Sequence, residues 1–436
     1  MADFARSAHP DVQAQLDRLS MLSPAGDRLG LERIAELLER LGRPQDRLPL
    51  IFHVAGTNGK GSTCAFLRAA LEASGHKAHA FTSPHLVRFN ERVRIAGRLI
   101  EDEPLAALLT EVLDSSTGIE PSFFEVATAV AILAFAQTPA DACILEVGLG
   151  GRLDATNVVE RPLVTGIASL ALDHQLFLGN RLPGIAAEKA GIAKPGVPLV
   201  TQLYPPRISA RIWQAARDTG ALWLPRGGRW HASVRQGKLS YRDEAGTLDL
   251  PLPRLPGKHQ AMNAALAVAM LRHQGALDVP ESALHKAMGE VDWPARMQRL
   301  VEGPLPRLLP DGSELWLDGG HNPSGARAIA EVVQLRFNDD LPLVLIFASL
   351  GSKDPKGTLS PFRGLAAQVL TLPVCDHDYR DPRELAELAR SLGFRAEARR
   401  TIEDALTAVR AKARVLIFGS LYLAGEVLAA NDQTPD

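Results

Sequence analysis

Apolar positions along the chain alternate between two rhythms. Residues 30–42 (GLERIAELLERLG) repeat them every three to four positions and end at a glycine just before Pro44, which predicts an amphipathic helix. The apolar run Leu48–Val54 has the length of a buried strand, and a helix-forming stretch follows it. Further strands are predicted over about 77–82, over Asp141–Val147 (DACILEV) and over Leu163–Ser169. Helices are predicted over about 103–115 and, wholly apolar, over about 123–137 (FFEVATAVAILAFAQ). Alternating strands and helices imply a mostly parallel sheet with helices on both faces. From about 210 to 256 the texture changes, and WHASVRQGKLSYRDEAGTLDLPLP reads as short antiparallel strands turning near Glu244-Ala245-Gly246. A long helix over about 258–274 restores the first pattern.

Past Trp293-Pro294 a second α/β unit begins, with strands expected near 314–318, 343–348, 368–373 and 414–418. The fold class expected is α/β. An N-terminal region, 1–296, holds a mostly parallel sheet, a phosphate loop and a small antiparallel β subregion. A smaller C-terminal Rossmann-like α/β domain covers 297–436, and its last residues, NDQTPD, are expected to be disordered.

The phosphate loop is the junction between the first strand and its helix, Gly56-Thr57-Asn58-Gly59-Lys60-Gly61-Ser62-Thr63. Small residues let backbone N–H groups close around a phosphate, and the helix N-terminus adds about half a positive charge there. Lys60 can reach the outer phosphates, and Ser62 or Thr63 can offer a hydroxyl to them or to magnesium. Only two residues separate Gly56 from Gly59 and a further glycine splits Lys60 from Ser62, so the spacing departs from the common phosphate-loop pattern. The alternative is a glycine-rich turn with a solvated lysine; the strand before it and the helix after it favour phosphate binding.

Composition narrows the class. The chain has 436 residues, 46% hydrophobic and 22% charged, with a formal net charge of −2. That length argues for two domains, and that charge against a nucleic-acid binder relying on bulk positive charge. Cys64, Cys143 and Cys375 are widely spaced and form no CxxC pair. The first residues carry no apolar signal core, and no apolar run reaches the roughly 20 residues that span a bilayer. A cytoplasmic enzyme without a membrane or nucleic-acid partner is expected.

Other segments could carry chemistry at the carboxyl edges of the strands, where open α/β sheets place ligands. Ser83 lies in Thr82-Ser83-Pro84-His85-Leu86. Glu146 ends a buried strand before Gly148, Gly150 and Gly151, a place suited to magnesium. His174 follows Asp173 past the next strand, and Lys189 lies near the end of a short helix, where a solvated lysine is the ordinary reading. Arg296 could clamp a phosphate in two-pronged fashion, and Asp318 and His321 end the first strand of the second domain.

GTNGKGST at 56–63, TSPHL at 82–86, EVGLGGRLDATN at 146–157, DH at 173–174, EKAGI at 188–192, GKHQAMNAA at 257–265, DGGHNP at 318–323 and GSLYLAGEVL at 419–428 occur in that order. Together they resemble the folylpolyglutamate synthase and dihydrofolate synthase family, within the Mur ligase superfamily, across essentially the whole chain. The resemblance implies an ATP-dependent amide ligase with an ATP-binding Mur ligase-type region and a C-terminal glutamate-ligase domain. Thr57, Asn58, Gly59, Lys60, Gly61 and Ser62 would hold the ATP phosphates, with Asn263, Arg296 and Asp318 on the nucleotide. Ser83, Glu146 and His174 match magnesium ligands, and Lys189 matches a lysine carbamylated in these enzymes and so made a fourth ligand. Lys60, Lys189 and His321 are the candidate catalytic residues, His321 near the incoming glutamate. Asp27, Arg28, Leu29, Gly30, Ser122, Leu153, Asp154 and Ala155 match the pterin-side pocket.

The implied small molecules are dihydropteroate, tetrahydrofolate, L-glutamate and ATP with two Mg2+ ions; K+ is left open, and a monomer is the family expectation. A second domain closing over the first, with Trp293–Arg299 as the hinge, belongs to the same expectation. Gln175 stands where relatives carry threonine, and Leu350-Gly351-Ser352-Lys353-Asp354 replaces an Asp-Lys-Asp. A GTPase would carry an Asn-Lys-x-Asp guanine motif, which is missing. A non-catalytic nucleotide binder and a muramyl ligase are the remaining alternatives; LDATN and GSLYLAGEVL favour the folate branch.

Overall fold

A computed structural model describes residues 5–22, 29–337 and 339–436. The chain forms two compact units. The first holds residues up to Arg254 together with Gln260–Asp292, the second Leu255–His259 together with Trp293–Pro435.

The first unit is built on an eight-stranded sheet. Its strands are β1 (Leu50–Ala55), β2 (Ala78–Phe81), β3 (Val93–Ile95), β4 (Arg98–Leu99), β5 (Ala142–Glu146), β6 (Val164–Ile167), β7 (Pro198–Thr201) and β8 (Leu222–Pro225). They lie in the order β4-β3-β2-β5-β1-β6-β7-β8. All neighbours from β2 to β8 run parallel, while β3 and β4 add an antiparallel edge. β1 is central, between β5 and β6, and Val54 stands opposite Glu146. The chain leaves β1 toward one side of the sheet and β6–β8 continue on the other, so the carboxyl end of β1 sits at the switch point where such sheets bind ligands.

The helix Phe123–Gln137 has the bounds expected from its apolar run. It is apolar on every face because it is buried on nearly every face, Val126 to Phe135 all lying in the core with Phe81, Phe89 and Leu145. The helix Glu32–Arg40 instead buries one stripe, Ile34, Leu37 and Leu38.

The expected change of texture over 210–256 is only partly antiparallel. β9 (His231–Arg235), β10 (Lys238–Asp243) and β11 (Gly246–Pro251) do form an antiparallel three-stranded sheet turning at 244–245. Residues 206–219, however, are a helix, and β8 pairs parallel to β7. The helix buries only Ile208, Ile212 and Ala216 of its length, so its polar residues hide its period.

The second unit is a six-stranded sheet of β12 (Gln298–Leu300), β13 (Glu314–Leu317), β14 (Leu343–Phe347), β15 (Ala366–Thr371), β16 (Arg395–Ala398) and β17 (Arg414–Phe418). The order is β12-β13-β17-β14-β15-β16, parallel except for β12 at one edge. The short edge strands β12 and β16 carry too few buried residues to announce themselves in sequence. The expectation of disorder for 431–436 fails at Asn431. Asn431 is fully buried, accepts from the Leu305 amide at 3.0 Å and donates to the Glu302 carbonyl at 2.8 Å.

Candidate active site

β1 delivers Gly56 at its carboxyl end, and the loop that follows is tied to the segment beyond β6. The amides of Thr57 and Asn58 donate to the Ser169 carbonyl at 2.8 and 3.2 Å. The Thr57 hydroxyl donates to the Ala171 carbonyl at 3.0 Å and accepts from the Ala171 amide at 3.1 Å. Gly59 has φ +84°, and a Cβ there would lie 2.3 Å from Asn263 Oδ1, so glycine is required on both counts. Asn263 thus stands against the loop, its amide held by Gln260 Oε1 at 3.0 Å. The helix Lys60–Ala73 starts here, and the Thr63 hydroxyl donates back to the Gly59 carbonyl at 2.8 Å. Ser62 Oγ is buried with no hydrogen-bond partner among the described residues. A buried hydroxyl without a partner is costly, and a ligand oxygen would satisfy it.

Lys60 and Glu146 meet beside this loop, Nζ to Oε1 at 3.8 Å, with both side chains largely buried. The Ser83 amide donates to the other Glu146 oxygen at 3.2 Å. The Ser83 loop is held from behind. The Glu91 carboxylate accepts from the amides of Leu86, Val87 and Arg88 at 2.7, 2.8 and 2.7 Å. The fully buried Arg92 donates from Nε to His85 Nδ1 at 2.8 Å and lies over the rings of Phe89 and Phe123. Sequence reasoning missed Arg92, because an arginine among loop polars gives no sign of burial.

Lys189 is buried at the end of the helix Leu182–Ala190, with Nζ 3.5 Å from the Gly150 carbonyl. The solvated reading is therefore wrong for this lysine. Burial, and next the positive charge of Lys60, push its pKa down to about 7 against the opposing pull of Asp154, Asp173 and Glu188. Its position follows from close packing of two glycine-bearing segments. A Cβ on Gly151 would lie 2.7 Å from the Glu188 carbonyl oxygen, and one on Gly191 2.3 Å from Arg152 Cβ. The Arg152 amide donates to the Glu188 carbonyl at 2.9 Å, and Asn157 donates to the carbonyls of Arg152 and Gly191. Asp173 accepts from the amide of His174, whose φ is +49°.

Among the pterin-side candidates, Asp27 and Arg28 lie outside the described residues; Leu29 is exposed and Gly30 partly so. Ser122 caps the helix Phe123–Gln137 in a reciprocal box with Glu125, whose buried carboxylate also pairs with Arg33 at 3.0 Å. Leu153 is half-buried and Ala155 buried. Asp154 is buried and accepts from the Leu149 amide at 2.8 Å and from the amide and hydroxyl of Thr156 at 3.0 and 2.5 Å.

In the second unit, Asp318 at the end of β13 is buried, and its carboxylate accepts from the amides of Met297 at 2.8 Å and Gly320 at 2.7 Å. Burial raises its pKa against the pull of Arg296. Arg296 donates to the Ala295 carbonyl at 2.8 Å, and Gly319 passes so close that a Cβ would be 2.9 Å from Arg296 Nη1. His321 Nδ1 is 3.0 Å from the Gly319 carbonyl. The adjacent strand β17 ends at Phe418, and the amide of the next residue, Gly419, donates to the Gly320 carbonyl at 3.0 Å; Ser420 then caps the helix Leu421–Ala430. Arg296, Asp318 and His321 are thus one cluster, as Lys60, Ser83, Glu146, Lys189 and Asn263 belong to the edge of the first sheet.

Among the described residues no three His, Cys, Asp or Glu side chains converge as a preformed metal centre. The donor set of the first unit is nevertheless one that fits a hard cation beside a phosphate. It has a buried carboxylate at Glu146, the hydroxyl-bearing Ser83 next to it, and the orphaned Ser62 hydroxyl. Among the described residues no helix is long and apolar enough to cross a membrane.

No family model matches the chain. Individual proteins do. The dihydrofolate synthase/folylpolyglutamate synthase of Bacillus subtilis (strain 168) is 33% identical over 92% of this chain and 95% of its own. That of Escherichia coli (strain K12) is 34% identical over 93% and 92%. The solved structure of E. coli FolC in complex with DHPP and ADP superposes with a TM-score of 0.87 at 34% identity, covering 98% of each chain. A bifunctional folylpolyglutamate synthase/dihydrofolate synthase with Mn, AMPPNP and L-glutamate bound gives 0.84 at 32% identity, covering 99% of each. A glycine-built phosphate loop at the switch point, a buried carboxylate and lysine beside it, and identity of this extent along nearly the whole length lead to one conclusion: the chain belongs to the dihydrofolate synthase/folylpolyglutamate synthase family.

Proposed function

We propose that this protein is an ATP-dependent carboxylate–amine ligase that joins L-glutamate to 7,8-dihydropteroate, forming dihydrofolate, and to tetrahydrofolate, extending a γ-linked polyglutamate. The observation that carries the reading is the phosphate loop itself. Lys60 stands 3.8 Å from the buried Glu146, and the Ser62 hydroxyl at the start of the helix that follows has no partner among the described residues. The relatives add support, one solved with DHPP and ADP and another with AMPPNP, Mn and L-glutamate.

A carboxylate oxygen is a poor leaving group, so amide formation needs activation. The γ-phosphoryl group of ATP passes to a pterin-side carboxylate, giving an acyl phosphate and ADP. The glutamate amine attacks the carbonyl carbon, the C–N bond forms, the amine loses a proton and phosphate leaves. The loop amides and Lys60 stabilise charge on the group in transfer, and binding both reactants makes the second step effectively unimolecular. Ser83, Glu146, His174 and a carbamylated Lys189 are assigned to divalent cations, which when bound offset phosphate charge. Thr57 to Ser62, Asn263, Arg296 and Asp318 are assigned to ATP, and His321 to the incoming glutamate. Residues 27–30, 122 and 153–155 are assigned to the pterin. Two magnesium ions, a cytoplasmic location and a monomeric state go with this reading.

The test is ADP release by the purified protein with Mg-ATP and L-glutamate, comparing dihydropteroate, tetrahydrofolate and no pterin. Turnover with both pterins is expected; turnover with one narrows the activity to that branch. ATP binding without turnover on either would overturn the reading. In Lys60→Ala, turnover should fall by about 100-fold or more with the fold intact.

A further inference from the structure

His53 has no part in the roles assigned so far, yet it occupies an unusual place. It lies in the middle of β1, three residues before Gly56, and is fully buried. Its Nε2 is 2.8 Å from Thr156 Oγ1. The Thr156 hydroxyl spends its single proton on Asp154 Oδ1, at 2.5 Å. With the Asp154 carboxylate ionised, it can only accept from the imidazole, and His53 then carries its proton on Nε2. Nδ1 is then the unprotonated nitrogen, and it is buried with no partner among the described residues. Burial in the strand, with Lys194 adding to it, pushes the imidazole pKa down to about 3, so the ring is neutral. An aliphatic or phenyl side chain would fill this strand position without stranding a nitrogen. What the imidazole adds is a donor aimed at Thr156.

The chain of donors continues. Asp154 Oδ1 also accepts from the Thr156 amide, and Oδ2 accepts from the Leu149 amide at 2.8 Å. One carboxylate thus joins the two sides of the loop 149–156, and one imidazole anchors that carboxylate to the strand carrying the phosphate loop. We propose that His53 is a positioning residue, which through Thr156 fixes the Asp154 carboxylate and so sets where Leu153–Ala155 stand relative to the phosphate loop. The proposal rests on the functional reading above, in which that segment faces the pterin. It makes the placement of the pterin carboxylate, rather than ATP affinity, the property that His53 controls.

Two substitutions separate donor from bulk. His53→Phe keeps a ring and loses the donor; His53→Gln keeps an N–H near the place of Nε2. His53→Phe should lower kcat/KM for dihydropteroate by about 10-fold or more, with KM for ATP unchanged. His53→Gln should recover most of that loss, and Thr156→Val should reproduce the defect. Nitrogen-15 NMR of the histidine-labelled wild-type protein should show His53 as the neutral Nε2–H tautomer, a readout that needs no variant to fold. An Nδ1–H tautomer or a protonated ring at neutral pH would overturn the proposal. So would His53→Phe with wild-type kcat/KM, or with an equal loss for ATP. If the wild-type protein turns over no pterin, the functional reading fails, while the NMR result still decides the hydrogen-bond chain.

Discussion

At the scale of single residues, Lys189 is where sequence and structure part most sharply. Its place near a helix end suggests a solvated cation; its burial, with the Lys60 charge beside it, brings its pKa to about 7. About half of the amine is then neutral at pH 7. Only the neutral amine has the lone pair to attack CO2, forming the C–N bond and releasing a proton to leave a carbamate anion. Protein equilibrated with carbon-13 bicarbonate should show a carbamate resonance that grows between pH 6 and 8, and Lys189→Arg should lack it. A spectrum without that signal across this range would remove Lys189 from the assigned metal ligands. Lys60, Ser83 and Glu146 were legible as candidates because their types and strand-end positions suggest their chemistry. The environment of Lys189 was not, because it depends on Gly150, Asp154 and Asp173, which precede it by up to 39 residues. His53 and Arg92 were illegible for the same reason, their partners being distant in sequence or hidden by the loop's turn.

At the scale of elements, two segments that look separate in sequence act as one piece. GLGGRLDATN and EKAGI pack backbone to backbone through Gly151 and Gly191, and this contact places Lys189. Gly191→Ala would put a methyl group 2.3 Å from Arg152 Cβ and should cost about 1–3 kcal/mol. Gly184→Ala, inside the helix Leu182–Ala190 that Gly191 ends, with nothing within 4 Å of the new methyl, should stabilise by up to about 1 kcal/mol. Urea denaturation followed in the first unit compares the two. Equal effects would mean that the close approach of these segments is not what limits position 191. The helix Phe123–Gln137 was legible to the residue because a wholly apolar run of that length has few other fates. The helix Pro206–Thr219 was not, because tertiary contact buries so narrow a stripe of it.

At the scale of the whole molecule, each unit carries a neutral histidine, fully buried at position 53 and half-buried at position 259. Burial is the main cause in both, holding His53 at about 3 and His259, beside Arg296, at about 4, below the ordinary 6.5. The unfolded chain takes up protons that the folded units refuse. Stability from this source is therefore complete above about pH 6.5 and falls as pH drops toward those values, by roughly 1.4 kcal/mol per pH unit for each histidine. Hydrogen exchange at pH 7, 6 and 5 should show β1 and β13 losing protection together with acid. In His53→Gln the acid slope should flatten for β1 and persist for β13; an unchanged β1 slope would mean that His53 already titrates in the folded state.

The sequence by itself determined the fold class, the four strands β1, β2, β5 and β6 at the heart of the first sheet, the four inner strands of the last, and the order of chemistry-bearing segments along the chain. These follow from local periodicity and from residue types whose chemistry does not depend on context. Only the tertiary structure decided which of those segments touch, which charges are buried, and which polar groups are spent holding a loop. Burial and hydrogen-bond pairing are set by residues far apart in sequence, and no local pattern encodes them.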